Sequence, residues 1–452
     1  MAQTKDMTAG RPAGLIFLFA LPLMLGNVCQ QLYIVVDTAI VGQVAGVEAL
    51  AALGAAEWLN WLVLGVISGF TQGFSILVAQ RFGAGDREGL RRSVALSLVL
   101  TGIIALVTTV VSMVLIYPIL NLLGTPANIV QDAAHYLMVI FGFALVNAVY
   151  NVLAGILRAL GNSRTPLIAM LIAAAVNVVL DLLFVMGFQM GVVGAALGTV
   201  MAQGVAALLC LMAVRRIPAL QLTRQDFRFH GGCMRELFRL GVPVAFQNLI
   251  IALGGMAVQY VINSFGFLYV AGFTATNKLY GILEIAASSY GFAIATYTGQ
   301  NLGAGRVDRI RSGMRASIWM ALATAAVISV FMFCLGRPIL SVFISGTPEE
   351  TAAVLQIAFY YLAVMAGGLP ILYLLYVYRS ALQGMGNTLI PMLSGGAELI
   401  FRVGVAMGLP LLVGEAGIYF AEPAAWLGAE LLLMISYYSC IRRLARSLKA
   451  AD

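Results

Sequence analysis

Acidic and polar side chains within apolar segments are the residues of this chain that could do chemistry. Asp37 ends the first long apolar segment, and Asp181 lies within a later one, four residues after Asn177. Because a spacing of four places two side chains on one helical face, Asn177 and Asp181 are predicted to lie one turn apart. Thr199, in the next segment, adds a hydroxyl. Such oxygens can hold a small hard cation, so the sequence predicts a Na⁺ site at these four residues.

A proton is the alternative occupant of this site. Two carboxylates enclosed at low dielectric repel each other, and desolvation disfavours their charged forms, so at least one is expected to bind a proton. Tyr136 and Asn151 lie on another apolar segment that could reach the same cavity. In a second interpretation Asp37 only caps a helix at the outer interface and Asp181 lies in a solvated crevice. An ionisable group within a span costs about 2.5–3.5 kcal/mol, which favours a functional role.

The apolar composition indicates the elements that position these residues. Hydrophobic residues make up 61% of the 452 residues and charged residues only 10%, which is too little polar surface for a protein dissolved in water. We therefore predict an all-α integral membrane protein. Twelve apolar stretches are near or above the length that crosses about 30 Å of hydrocarbon: residues 14–36, 50–78, 92–117, 133–157, 165–186, 190–214, 237–263, 271–298, 314–335, 354–378, 388–412 and 417–440.

Repeated phrases show that the chain is an internal duplication. QRFGAG begins at Gln80 and QNLGAG begins 220 positions later at Gln300, while GNSRTP and GNTLIP repeat at nearly the same offset. Six spans in each half are typical of a transporter with two lobes. Because six is an even number, both lobes enter the membrane in the same direction, which predicts a pseudo-twofold axis along the membrane normal. The glycines of the two GAG loops are predicted to cap helix C-termini.

The distribution of Lys and Arg predicts the topology. Only Arg337 lies in a predicted outer loop, and Lys278 and Arg402 lie within spans, whereas the other Lys and Arg residues lie at predicted inner ends. This bias predicts a multi-pass protein of the cytoplasmic (inner) membrane with both termini in the cytoplasm.

The basic segment between the halves predicts the domain boundary. Residues 1–214 form the predicted N-lobe, 215–236 a cytoplasmic linker and 237–452 the predicted C-lobe.

Several function classes are excluded or disfavoured. The five cysteines have no metal-ligand spacing, and no phosphate-cradling GxxxxGK motif is present. The net charge of +7 is spread over many inner segments, which indicates contact with membrane lipids rather than nucleic acid. We expect a protein that is not an enzyme, needs no cofactor beyond a coupling ion, and acts as a monomer.

The chain resembles a known family of transporters. The stretch DTAIVGQVAGVEALAALG from Asp37, the two GAG loops, LRALGNSRTP, and NVVLDLLF from Asn177 resemble the multidrug and toxic compound extrusion (MATE) antiporters. Within that family the chain is similar to the branch named for DNA-damage-inducible protein F. The resemblance implies a secondary active exporter of amphipathic organic compounds, driven by H⁺ or Na⁺ through alternating access of two lobes.

The resemblance also implies roles for particular residues. The branch's cation or proton site in the N-lobe falls on Asp37, Asn177, Asp181 and Thr199, with Tyr136 and Asn151 in support. Pro22 matches a proline of the first helix whose bend is thought to accompany protonation. A passive kink is the alternative, since any proline removes a backbone hydrogen bond.

The second half departs from the other large branch of the family. That branch has carboxylates in its seventh and tenth helices, and the corresponding spans here have none. The candidate cavity residues are instead Lys278, Glu284, Glu398 and Arg402. Glu398 and Arg402 are four apart in the favourable order, which predicts an ion pair within one helix. Lys278 would discourage organic cations unless it is neutralised, and its alternatives are snorkelling to a polar boundary or pairing with Glu398.

Two other transport functions are consistent with a duplicated chain. A lipid-linked saccharide flippase would be expected to have a more cationic cavity and often extra helices, and this chain has only Lys278 and Arg402 within its spans. A channel is disfavoured because duplicated lobes with carboxylates near the midplane suit alternating access better than an open pore.

Overall fold

The chain folds into long helices joined by short turns. A computed structural model describes residues 4–44, 46–344 and 347–449. The α-helices of the described residues are α1 (Pro12–Val44), α2 (Gly46–Gly83), α3 (Arg87–Leu122), α4 (Val130–Gly142), α5 (Ala144–Ala159), α6 (Arg164–Asp181), α7 (Gly191–Arg215), α8 (Gly231–Ser264), α9 (Phe267–Gly303), α10 (Val307–Phe343), α11 (Pro348–Gly384), α12 (Leu389–Val413) and α13 (Ala421–Lys449). A π-helix spans Leu182–Gly187, and short 3₁₀ turns span Pro218–Leu220 and Glu415–Phe420.

The helices confirm the predicted all-α membrane fold. Eleven of them are long and apolar enough to cross a membrane, and α4 and α5 together make a twelfth span that bends by 49°. The break falls at Phe143, whose backbone lies between the two helices. The apolar stretch 133–157 runs through this position without a proline, so hydrophobicity alone predicts one straight span there.

The described residues form two compact units, and α1 and α8 are each divided between them. The first unit comprises the residues up to Ala9 together with Leu21–Leu249. Within it α2 packs against α3 and α5, and α6 packs against α7. One of its buried clusters includes Val78 of α2, Leu153 and Leu157 of α5, and Val214 of α7.

The first part of α8 packs closely on α2 within this unit. A Cβ at Gly69 would lie 2.5 Å from the Cα of Ala245, and a Cβ at Gly73 would lie 2.5 Å from the Cα of Gly241. These distances leave no room for a side chain, so the two helix backbones touch along a seam of small residues. Such seams let membrane helices approach closely where no hydrophobic driving force exists.

The second unit comprises Gly10–Ala20 and the described residues from Ile250 onward. Its centre is α11, which packs against α9, α10 and α13. Trp426 and Tyr373 are among its fully buried side chains. The rings of Phe273 and Tyr361 stack with centroids 4.0 Å apart. Aromatic packing of this kind adds stabilisation to the area that it buries.

The repeated sequence phrases fold into repeated turns. Gly85 and Gly305 have the same φ of 69°, and the backbone N–H of the next residue bonds to the carbonyl five positions earlier in both loops. Gly161 and Gly386 likewise share a φ of 80° and the same hydrogen bonds. These are C-terminal caps in which glycine supplies the left-handed conformation, as the GAG sequences predict.

Candidate functional site

Asp181 and Asn177 form the centre of a buried polar cluster in the first unit. Asp181 ends α6, and its side chain is 0% exposed, while Asn177 is 1% exposed. The amide Nδ2 of Asn177 donates to Asp181 Oδ1 over 3.3 Å. The two side chains therefore share one helical face, as their spacing predicts. The π-helix begins directly after Asp181, and such bulges occur frequently at functional sites.

Asp37 of α1 brings a second carboxyl group to this cluster. Asp37 and Asp181 are close enough for their carboxyl groups to influence each other electrostatically. Three oxygens of the cluster are buried without a hydrogen-bond partner, namely Asp37 Oδ1, Asn177 Oδ1 and Asp181 Oδ2. An unpartnered buried polar atom costs about 1–3 kcal/mol. These three acceptors therefore favour a positively charged or proton-donating occupant.

Gly198 of α7 lets the cluster close, and the sequence interpretation missed it. A Cβ at this position would lie 2.3 Å from Asp181 Oδ1 and 3.5 Å from Asn177 Nδ2. A Cβ at Gly194, one turn earlier, would lie 3.1 Å from the backbone of Phe184 in the π-helix. The spacing of these two glycines is the small-xxx-small pattern of close helix packing, and it could have indicated the contact.

The fourth predicted site residue, Thr199, and the two supporting residues, Tyr136 and Asn151, lie at different places around the cluster. Thr199 is half-buried and follows Gly198 on α7. Tyr136 packs against a hydrophobic cluster that contains Val41 and Val185, each one turn beyond an acidic residue of the site. Asn151 donates from Nδ2 to the Oδ1 and the backbone oxygen of Asn147, each over 2.9 Å.

Asn151 thus belongs to a second polar chain rather than to the carboxyl pair. Asn147 in turn donates to Gln203 Oε1 over 3.2 Å. This chain links α5 to α7, the helix that carries Gly198 and Thr199. Its amides satisfy one another, which leaves Asp37, Asn177 and Asp181 as the residues with unused acceptors.

The donor set determines what the site can hold. Two carboxylates and an amide oxygen suit a small hard monovalent cation, and the same groups suit a proton shared between the carboxyls. Among the described ranges no cluster of three or more His, Cys, Asp or Glu side chains could hold a metal ion. The oxygens of this cluster have the chemistry to bind one positive charge.

The second unit contains a buried ionic network. Arg402 lies 3.7 Å from Glu398, which confirms the predicted pair within α12. Arg402 also donates to Glu422 of α13 over 2.9 Å. Glu398 pairs in addition with Arg379 of α11. This network ties three helices together, whereas the sequence predicted only the pair within one helix.

Arg379 is buried near the C-terminal end of α11. The charge pattern assigns it to the cytoplasmic ends of the spans with the other arginines, and it is 6% exposed. The residue lies inside α11, which ends at Gly384. Its partner Glu398 balances the charge that burial would otherwise leave uncompensated.

Lys278 and Glu284 do not pair with each other or share one environment. Lys278 is exposed and lines a cavity of about 290 Å³ together with Thr274, Glu350 and Val354. Glu284 instead accepts a hydrogen bond from the hydroxyl of Tyr376. Glu398, the alternative partner for Lys278, pairs instead with Arg379 and Arg402.

Pro22 lies inside α1, which continues through it from Pro12 to Val44. The division between the two compact units passes through the same helix, between Ala20 and Leu21. The carbonyl of Leu18, four residues before Pro22, has no helical N–H donor because proline lacks one. This weakens the helix at the point where it leaves one unit for the other.

A family model described as MatE matches the chain twice, over residues 22–183 and 243–407. The two matches begin at corresponding prolines, Pro22 and Pro243, in agreement with the internal duplication. They cover more than half of the 452 residues.

Known proteins resemble most of the chain. The probable multidrug resistance protein YoeA of Bacillus subtilis (strain 168) is 28% identical over 444 residues, which are 94% of this chain and 93% of that protein. The probable multidrug resistance protein YpnP of the same organism is 31% identical over 362 residues, 79% of this chain and 80% of that protein. A solved MOP superfamily transporter from Pyrococcus furiosus aligns with a TM-score of 0.92 over 98% of this chain and 99% of its own, at 22% identity, which demonstrates the shared fold.

Proposed function

Because this chain belongs to the MatE family of membrane transporters, we propose that it is a secondary active exporter of small organic molecules. A monovalent cation, H⁺ or Na⁺, drives export by binding at Asp37, Asn177 and Asp181. The observation that carries this proposal is the set of three buried acceptor oxygens without partners in that cluster. Burying such groups is costly, and a bound cation would remove the cost.

The coupling follows from the two carboxyl groups. When the site is empty, Asp37 and Asp181 repel each other in a low-dielectric environment. A bound cation removes that repulsion and favours the packed arrangement in which Gly198 lies against Asp181. Export is coupled when ion and cargo have different affinities for the inward-open and outward-open states. The proposed cycle alternates between these states, with cation entry from outside favouring cargo release.

Pro22 supports the conformational step. A helix that lacks one backbone hydrogen bond can take a straighter or a more bent form at low cost. Asp37 lies on the same helix, so loss of its cation can bias the bend. We propose that α1 is the element that transmits the state of the carboxyl pair.

The relatives guide the proposed cargo. The two Bacillus subtilis proteins are named as probable multidrug resistance proteins, and we propose the same class of amphipathic organic compounds for this chain. We further propose that it acts as a monomer in the cytoplasmic membrane with both termini inside, as the Lys and Arg pattern predicts.

The test is cargo flux in proteoliposomes that contain the full chain. Ethidium flux is measured under an imposed H⁺ gradient and, separately, an imposed Na⁺ gradient. The unaltered protein should respond to one of the two, and that response identifies the ion. Asp37→Asn and Asp181→Asn should each lose the gradient dependence by at least tenfold.

A matched control separates this effect from a general loss of acidic charge. Asp308 is exposed at the start of α10, and Asp308→Asn should keep coupled flux. If both cluster variants keep gradient-coupled export, the assignment of the site is wrong. Movement of a lipid-linked sugar without any ion gradient would support the flippase alternative instead.

A further inference from the structure

The buried network of the second unit contains more acidic than basic groups. Its guanidinium groups belong to Arg379 and Arg402, which pair with Glu398 and Glu422. Glu284 on α9 bonds to a tyrosine and lies in the electrostatic field of both arginines. Glu430 on α13 is a fourth carboxyl group, within the field of Arg379.

Glu430 differs from the other three carboxyl groups because neither of its oxygens has a partner. The residue is 5% exposed, and both Oε1 and Oε2 are buried without a hydrogen bond. It lies midway along an apolar helix that is long enough to span the membrane. A carboxylate in this position would carry an uncompensated charge away from water, which is strongly destabilising. A neutral carboxylic acid avoids that cost.

Arg379 has an unused hydrogen-bond donor that could pair with an ionised Glu430. One terminal nitrogen of its guanidinium bonds to Glu398, while its Nε–H is buried without an acceptor. The guanidinium therefore has a donor to spare for a second carboxylate. Because Glu398 is shared with Arg402, Arg379 can turn toward another acid without leaving Glu398 unpaired.

Among the described residues two other arginines face this region, Arg402 on α12 and Arg311 on α10, and neither bonds to the oxygens of Glu430. Tyr378 lies on α11 within the field of Glu430, and Tyr437 follows it on α13 with a buried hydroxyl that has no partner. The ionisable groups facing this region from the packed helices are Tyr378 and Arg379 on α11, Glu398 and Arg402 on α12, Arg311 on α10, and Tyr437 and Tyr438 on α13.

We propose that Glu430 is a proton-binding residue of the second unit, distinct from the Asp37 and Asp181 cluster. When Glu430 holds its proton, the network has the arrangement described above, in which Arg379 pairs with Glu398. Loss of the proton creates a buried carboxylate that attracts the free Nε–H of Arg379. The ligand of this site is thus H⁺, and its binding or release changes which carboxylate Arg379 contacts.

Infrared spectroscopy of the purified full chain in lipid tests this proposal without any transport assay. A protonated carboxyl group absorbs at a carbonyl frequency separate from that of a carboxylate, and the band shifts in heavy water. At neutral pH the spectrum of Glu430→Gln should lack the band of one carboxylic acid group per chain that the unaltered protein shows. If the difference spectrum instead shows the loss of one carboxylate, Glu430 is ionised and the proposal is overturned.

Control variants identify the band. Glu422→Gln removes an acid that accepts a hydrogen bond from Arg402, so its difference spectrum should show a lost carboxylate. Asp37→Asn combined with Asp181→Asn should leave the Glu430 band in place, which separates this site from the proposed coupling site. Glu430→Met, without hydrogen-bonding groups, provides the same subtraction if the glutamine variant does not fold. Retention of the acid band in both Glu430 variants would also overturn the proposal.

Discussion

Gly198 on α7 lies directly against the carboxyl group of Asp181 on α6, so that a Cβ on the glycine would come within 2.3 Å of Oδ1. The α7 backbone thus forms one wall of the candidate cation site. Any side chain at this position must displace Asp181 from Asn177 or separate the two helices.

Gly198→Ala is therefore expected to lower the stability of the folded protein by about 1–3 kcal/mol, the usual cost of overpacking. It should also reduce the gradient dependence of ethidium flux, because Asp181 moves. Thermal unfolding in detergent and the proteoliposome assay measure the two effects.

Gly204→Ala is the matched control for this substitution. Gly204 lies on the same helix, and its added Cβ would meet Val146 at an ordinary 3.7 Å. Alanine is a better helix former than glycine by up to about 1 kcal/mol, so this variant should be neutral or stabilised. Equal destabilisation of the two variants would refute the importance of the close contact with Asp181.

The repeated turns predict equal effects in the two halves. Gly85 and Gly305 have the same positive φ of 69°, and alanine pays about 1–2 kcal/mol in this conformation. Gly85→Ala and Gly305→Ala should each lower the melting temperature by a similar amount. Gly102→Ala, inside α3 where an added Cβ meets no atom within 4 Å, should raise it slightly. Unequal shifts for the first two variants would contradict equivalence of the repeats.

The buried network of the second unit should be more sensitive than the surface pairs. Arg379→Met leaves Glu398 with only the longer contact to Arg402, and breaking a buried pair costs about 3–5 kcal/mol. Arg81→Met removes contacts of 3.1 Å to Asp86 and 3.0 Å to Glu236, all part-exposed, and should cost at most about 1 kcal/mol. Heat stability of the two purified variants in the same detergent makes the comparison. A smaller loss for Arg379→Met than for Arg81→Met would argue against a role for the network in stability.

Asp226 in the segment before α8 should make stability depend on pH. Burial opposes its ionisation, but the backbone N–H and hydroxyl of Thr223 and the charges of Arg91 and Arg92 outweigh burial and hold its pKa below the usual value. The group therefore stabilises the folded state at pH values above its unfolded pKa of about 3.9. This contribution is lost as pH falls through the lower folded pKa.

Asp226→Asn should consequently lower stability by about 1 kcal/mol at neutral pH, since it removes an ionised acceptor from two hydrogen bonds. The difference from the unaltered protein should shrink as the solution is acidified below pH 4 or so. Melting curves at a series of pH values measure it. A difference that stays constant with pH would show that ionisation of Asp226 does not contribute.

Local sequence patterns predicted the features that depend on local physics. The apolar segments, the Asn177 and Asp181 face, the pair of Glu398 with Arg402, and the glycine caps all follow from helical spacing or backbone conformation. Each of these is present in the structure. The ion-binding role of Asp37, Asn177 and Asp181 stays a prediction, as do the domain boundaries.

Features that depend on distant partners were missed. The pair of Arg379 with Glu398 was not predicted because the two residues lie on different helices. The close contact of Gly198 depends on Asp181 of another helix, and the break at Phe143 interrupts a stretch that is long enough to span the membrane and contains no proline. Side-chain pairing between helices is set by tertiary packing, which neither hydropathy nor spacing within one segment encodes.

The division of α8 between the two compact units has a consequence for cutting the polypeptide. The helix begins in the unit of α2, against which Gly241 and Ala245 pack, and continues into the other unit after Leu249. If the protein were cleaved in the segment before Gly231, the C-terminal fragment would still carry the part of α8 up to Leu249, which belongs to the first unit. Neither fragment is then complete by itself, so co-expressed fragments are expected to reassemble by complementation rather than behave as independent folding entities.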